Sequence, residues 1–243
     1  MERLRDGRGV GRFWKIAKSV KKSNARADYP GSMKTQAASA PIAKLDLYQI
    51  HKAEYVAPRE PVLIRMASAG YLGIAGRGAP GGEAFQRAIG SLYSVAFTVK
   101  MASKTAGRDY AVSKLEGLCW AESGRSLMVE PKDQWSWRLL IRTPDFIGER
   151  EIEAARKRLA EKGKDRLCME VEPITLNENQ CVQMLHSGPY DREPETVTRM
   201  DAFAAAQGYR LDGHCHEIYL SDPTRVAPEK LRTILRIPVR QVN

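Results

Sequence analysis

The sequence predicts an α+β fold: two strand-helix-strand-strand modules in a pseudo-two-fold arrangement with a central ligand groove. Three observations predict it. The order of apolar segments in the first half of the chain recurs in the second. In each half a Gly/Pro turn, "GRGAPGG" or "HSGPYD", separates a β-like run from a helix-like one. In each half two further apolar runs close the unit.

The elements follow in order. Residues 44–57, "KLDLYQIHKAEYVA", form a lead-in ended by Pro58 and Pro61. Module one spans about 58–145. Its β-like stretch "VLIRMASAGYLGIAGRGAPGG" is followed by "EAFQRAIGSLYSVAFTVKMA", where Phe85, Ala88, Ile89, Leu92, Tyr93 and Ala96 fall at helical spacing. "YAVSKLEGLCW" and "WSWRLLIRTP" read as its closing strands. A connecting helix is expected over about 147–163, with Ile152, Ala155 and Leu159 inward and a solvated charged face. Module two spans about 166–240. It has a strand-like run to the Gly-Pro turn, then a helix with Pro194 in its first turn and Gly208 past its end, then "CHEIYLSDP" and "LRTILRIPV". Residues 44–243 are thus one domain, and "KLEGL" in module one matches "CHEIY" in module two. That match places a carboxylate, Glu116 and Glu217, in the second strand of each module.

Composition narrows the function classes. With 243 residues and 43% hydrophobic content the chain can bury one sizeable core. The formal charge is +10, but residues 1–32 hold nine Lys or Arg against three acids, a balance of +6. The basic character therefore belongs to a tail, expected to be a disordered extension over 1–43, with Met33 as an alternative start. A weak nucleic-acid contact through residues 1–32 is the most it suggests. Four scattered cysteines without a CxxC pair fit a reducing, cytoplasmic setting. No apolar run approaches the roughly 20 residues of a membrane span, and the first residues lack a secretory core.

The densest chemistry is "HCHE" at 214–217. On a strand, side chains alternate, so His214 and His216 share one face while Cys215, Glu217 and Tyr219 share the other. Four ligands cannot converge on one metal ion from such a strand; a metal site would need His51, His186 or a further carboxylate as a third ligand. Glu217 stands between apolar neighbours. A carboxylate there is costly to desolvate unless it is paired or used, so it reads as either a salt-bridge partner or a pocket acid. Aromatic residues gather in the segments expected to line the groove: Trp120, in register with Glu116; Trp135 and Trp137 on one face; Tyr71 and Tyr190 near the two Gly/Pro turns. Aromatic walls with carboxylates suit flat, apolar or cationic ligands. "GIAGRGAPGG" lacks the Lys-Ser/Thr of a nucleotide loop, and no Gly-x-Ser-x-Gly elbow occurs. Nothing near Cys119 or Cys215 supports a cysteine nucleophile.

"DLYQIHKAEYVAP", "YLGIAGRGAPGGEAFQRAIGSLYSVAF", "DYAVSKLEGLCW", "LLIRTPDFI", "MLHSGPYDREPETVTRM" and "HEIYLSDP…PEKLRTILRIPV" resemble, in order, the GyrI-like small-molecule-binding proteins. The resemblance runs from about residue 44 to the C-terminus. It implies the same two-module fold and groove. The wider family includes effector-binding domains of multidrug-responsive regulators and proteins that protect gyrase. This chain is most similar to a stand-alone branch, the cyclopropanoid cyclopropyl hydrolases, which add water across the strained ring of DNA-alkylating compounds and so detoxify them; a winged or helix-turn-helix reader does not fit before residue 44. On that resemblance Glu217 matches the pocket glutamate, while Tyr71, Phe97, Glu116, Trp120, Trp137, His186 and Tyr190 fall in blocks that line the pocket. Cys119 stands where relatives often carry a bulky aromatic, and the basic extension lies outside the family pattern.

The resulting expectation is a cofactor-independent hydrolase with no metal. Glu217 deprotonates the attacking water, Tyr190, Tyr219 or His186 stabilises charge on the substrate oxygen, and Trp120 and Trp137 stack on the substrate. The alternative is a non-catalytic module that sequesters drugs or modulates a protein partner such as gyrase. The partner expected in both cases is a small molecule of aromatic or cationic character; oligomeric state is not legible.

Overall fold

The computed structural model describes residues 44–223 and 225–242. The expectations for the basic extension and for Met33 lie outside them.

The strands are β1 (Val62–Arg65), β2 (Ala69–Arg77), β3 (Leu115–Ala121), β4 (Trp135–Arg142), β5 (Glu172–Leu176), β6 (Gln180–Ser187), β7 (Tyr209–Leu211), β8 (Cys215–Tyr219) and β9 (Arg232–Gln241). The α-helices are α1 (Leu47–Ile50), α2 (Glu83–Thr105), α3 (Glu149–Glu161) and α4 (Glu193–Ala206). The sheet is antiparallel, in the order β1-β6-β9-β8-β3-β4-β2-β5, with β7 paired to β9. From its two ends the order runs β1, β6, β9, β8 and β5, β2, β4, β3. The pseudo-two-fold axis therefore passes between β3 and β8. Each module sends its first strand into the other's half: β1 pairs with β6, and β5 pairs with β2. The sequence showed two successive modules; the sheet interlocks them.

One face of the sheet carries α2, α3 and α4. The apolar periodicity of α2 is the cause of its docking: Phe85, Ala88, Ile89, Leu92, Tyr93, Ala96 and Val99 are all buried. They meet Leu72, Ile74, Trp137, Leu139 and Ile141 from the sheet. Each fully buried Leu or Ile contributes on the order of 1.5–3 kcal/mol. On α3, Ile152, Ala155 and Leu159 face this core as their spacing predicts. The N-terminus of α3 is closed by Glu151, which accepts from the Gly148 amide at 3.1 Å. α4 begins with Pro194 in its first turn and is followed by Gly208 at φ 77°. It buries Met200 and Ala204 against Val182, Met184, Leu235 and Ile237.

The lead-in covers the other face, which we call the back. Tyr55 is buried there with Leu185, Ile218 and Ile234. The backbone holds this segment in place, with the Leu185 amide donating to the Pro58 carbonyl at 2.8 Å.

Gly76 on β2 admits the Trp137 indole. A Cβ built at Gly76 would come within 2.2 Å of that ring. Trp137 is 2% exposed, packed edge-on to Phe85 with ring centroids 5.0 Å apart, so it cannot move aside cheaply. Gly76→Ala is expected to cost about 1–3 kcal/mol, as overpacked cores do, read as a lowered urea midpoint. A wild-type midpoint would refute this packing.

Candidate functional site

α2 lies over β2 and β4, and α4 lies over β6 and β7; β3 and β8 run between them as the floor of an interhelical groove. Register decides what the floor presents. Gly117 pairs with Glu217 and Cys119 with Cys215, so all four positions point into the groove, and Tyr219 on the same face pairs with Thr233 of β9. Gly117 leaves the space that the Tyr219 ring occupies: a Cβ there would stand 3.2 Å from the Tyr219 hydroxyl oxygen.

Glu217 is the acid of this floor. It is 8% exposed. Its Oε2 accepts from the Tyr219 hydroxyl at 2.8 Å, and the Cys119 thiol also donates to it. Burial raises its pKa, while the Tyr219 bond, the charge of His216 and the Cys119 bond pull it back. Across the groove, the turn after β6 delivers Tyr190 and Glu193. The Tyr190 and Tyr219 rings are perpendicular, with centroids 6.1 Å apart. Glu193 opens α4, and its carboxyl is held well above the usual range by burial and then by the neighbouring Glu217 charge. Two carboxyls that repel each other's ionisation share one groove, so one holds a proton while the other is charged. The donors gathered on Glu217 favour its ionised form, whereas burial and the Glu217 charge oppose that of Glu193. Burial, followed by the nearby carboxylates, keeps the Tyr190 and Tyr219 hydroxyls protonated as donors.

This pair yields a direct prediction. In Glu217→Gln the Glu193 carboxyl loses a like charge and should titrate at lower pH, followed by carbon-13 resonances of the glutamate carboxyls. An unmoved Glu193 would show that the two do not interact.

His186 braces the wall of the groove. Its Nε2 faces the Pro189 carbonyl at 3.1 Å and must donate, leaving Nδ1 to accept from the Thr196 hydroxyl at 2.8 Å. Both nitrogens are thereby occupied in fixing the turn that carries Tyr190. Trp137 is part of the buried floor under α2, its indole N–H donating to the Gly78 carbonyl at 3.2 Å. Phe97 stacks on Tyr93 along α2, with ring centroids 5.9 Å apart.

Tyr71, Glu116 and Trp120 are not in this groove. Glu116 pairs with Ile218, one position away from the match of Glu116 to Glu217 drawn from sequence, and that single step turns its side chain to the back face. There Glu116 Oε1 accepts from the Tyr55 hydroxyl at 2.9 Å and Oε2 from His216 Nε2 at 3.0 Å. His216 Nδ1 meets Glu178 Oε1, also at 3.0 Å, and Glu178 Oε2 meets Arg236 at 3.4 Å. Tyr71 is buried against Leu118 and Leu140 on that side. Trp120 packs on His214 with centroids 4.7 Å apart. Trp120 therefore cannot stack on a ligand held by Glu217. A cavity of about 380 Å³ also opens on the back face, lined by Leu118, Leu176, Glu178, His214 and Val239 among others. Its buried acid, Glu178, is already committed to His216 and Arg236. The groove on the other face instead holds Glu217 and Glu193.

Sequence reasoning found Glu217, Tyr190 and Tyr219, which the fold brings together. It missed Glu193, whose acid in "DREPET" looks like any first-turn helix residue, and it missed the Glu116–His216–Glu178 cluster.

A two-module antiparallel sheet with an acid-floored interhelical groove defines a small-molecule-binding fold. The chain matches the GyrI-like small molecule binding domain over residues 60–240, and it belongs to that family. A search of curated proteins finds no match. Among solved structures it is similar to an uncharacterized conserved protein from Listeria innocua, at 37% identity and a TM-score of 0.76. It is also similar to a protein from Listeria innocua described as a hydrolase, at 36% identity and a TM-score of 0.73. Each similarity covers 81% of this chain and 100% of the other. The EcmrR C-terminal domain, at 12% identity and a TM-score of 0.50 over 75% of this chain and 98% of that one, shares the fold. Among the described residues no helix is long and apolar enough to cross a membrane.

Proposed function

We propose that this protein is a cofactor-independent hydrolase that adds water across the cyclopropane of cyclopropanoid alkylating compounds and so detoxifies them. The observation that carries the reading is the groove acid pair: a buried Glu217 carrying two hydrogen-bond donors beside a Glu193 whose proton is held tightly. Support comes from the hydrolase description of relatives at 36–37% identity.

The chemistry follows from the two protonation states. Glu217 takes a proton from water, and the water oxygen bonds to the less hindered ring carbon. The strained C–C bond breaks, with its electron pair passing into the conjugated dienone. The carbonyl oxygen becomes a phenol oxygen and receives a proton from the Tyr190–Glu193 side of the groove. Water is added, and no oxidant or reductant is consumed. Tyr219 holds the Glu217 carboxylate in place, and Tyr190 and Phe97 offer the aromatic contact.

The test is product. The protein is incubated with a cyclopropane-bearing alkylator and the free compound is followed by mass. A water adduct formed beyond one equivalent supports the enzyme. Unchanged ligand recovered from the protein sinks it and leaves a sequestering module, in which Glu217 is a counter-charge for cationic ligands.

A further inference from the structure

We propose that His216 is a positioning residue for Glu217: a buried cation behind the sheet that keeps the groove carboxylate ionised and ready to accept a proton. This rests on the reading of Glu217 as proton acceptor and adds to it a residue on the opposite face.

The geometry begins with adjacency. His216 and Glu217 are consecutive on β8, so ring and carboxylate stand on either side of one strand. His216 has no exposed surface. Each of its nitrogens is 3.0 Å from a carboxylate oxygen, Glu116 from β3 on one side and Glu178 from the β5–β6 turn on the other. An ionised carboxylate only accepts hydrogen bonds, so satisfying both requires a proton on both nitrogens, which is the imidazolium. Asn179, at φ 57°, allows the turn that brings Glu178 into place.

Other charges bear on the ring. Arg236 from β9 shares Glu178 and is itself tied to Gln183 at 2.9 Å and to the Glu54 carbonyl at 2.7 Å. Tyr55 from the lead-in shares Glu116, and Arg142 from β4 pairs with Glu54. Burial opposes the ring's charge, but Glu178 and then the hydrogen bonds to both carboxylates lift its pKa to about 9, so the cation persists through neutral pH. Water is scarce on both sides of β8, and charge–charge effects reach further there than in solvent. Glu217 registers it: the His216 charge counters its burial, alongside Tyr219, Cys119 and Lys132, while Glu193 repels it from across the groove.

The test reads Glu217 itself. Glutamate carboxyl carbons are titrated in the full chain, the Glu217 signal being assigned by its loss in Glu217→Gln. In His216→Gln, which keeps a donor without the charge, the Glu217 midpoint should rise by about one pH unit, a roughly tenfold change in proton affinity. His216→Lys should bring the midpoint back toward wild type, which a merely structural role would not do. In the unaltered protein the Glu217 signal should show a second inflection as His216 loses its proton near pH 9. That measurement decides the matter if the variants do not fold. An unchanged midpoint in a folded His216→Gln, or no second inflection in wild type, overturns the proposal. A shifted midpoint without any water adduct would sink the hydrolase reading and keep His216's role; an adduct with an unshifted midpoint would do the reverse.

Discussion

Glu217→Gln should lower the rate of water addition by about 10²–10⁴-fold, the usual worth of a positioned general base, while ligand binding survives. The amide is nearly isosteric, and its oxygen can still accept from the Tyr219 hydroxyl, which now stands 2.8 Å from the carboxylate. What it cannot do is take a proton from water. Neutral flat ligands should therefore bind within a few-fold of wild type, measured by calorimetry, and cationic ones should bind more weakly because the counter-charge is gone. The variant should also be no less stable than wild type, since a buried carboxylate is costly to desolvate. A fully active Glu217→Gln would remove Glu217 as the base, and Glu193 would be the next candidate.

The second large effect is on stability. His216→Ala should cost about 3–5 kcal/mol, because it leaves Glu116 and Glu178 buried without their shared cation. The same cluster predicts a pH dependence. The folded His216 titrates near 9, above its unfolded value of about 6.5. Its contribution is therefore complete below about 6.5 and is lost as pH rises through about 9. Glu178 runs the other way. Although burial opposes it, the His216 charge and then Arg236 hold its pKa below the usual range, so its contribution is present above the unfolded carboxylate value and falls away in acid. Urea midpoints between pH 4 and 10 should thus decline at both ends, and the alkaline decline should be blunted in His216→Gln. A wild-type curve flat from pH 6 to 10 would contradict the assignment.

Much of this was legible in residue order. The spacing of Phe85 through Ala96 foretold α2 because only one side of a 3.6-residue helix can be apolar and docked. The repeated segment order foretold the two modules, and a carboxylate inside an apolar strand singled out Glu217. Alternation along "HCHE" correctly separated the histidines from Glu217. It could not show that His216 meets Glu116 and Glu178, which lie 100 and 38 residues away in sequence.

Sequence pattern, then, determined the helices, the strands, the module repeat and the groove acid, since these follow from residue spacing within each segment and from the order of segments along the chain. Tertiary structure decided the rest. Strand register turned Glu116, Tyr71 and Trp120 away from the groove they had been expected to line, because a shift of one residue reverses every side chain on a strand. Packing of α4 brought the unremarkable Glu193 to Glu217. The sheet set the buried His216, held between Glu116 and Glu178, behind Glu217, a juxtaposition that depends on contacts between residues far apart in the chain.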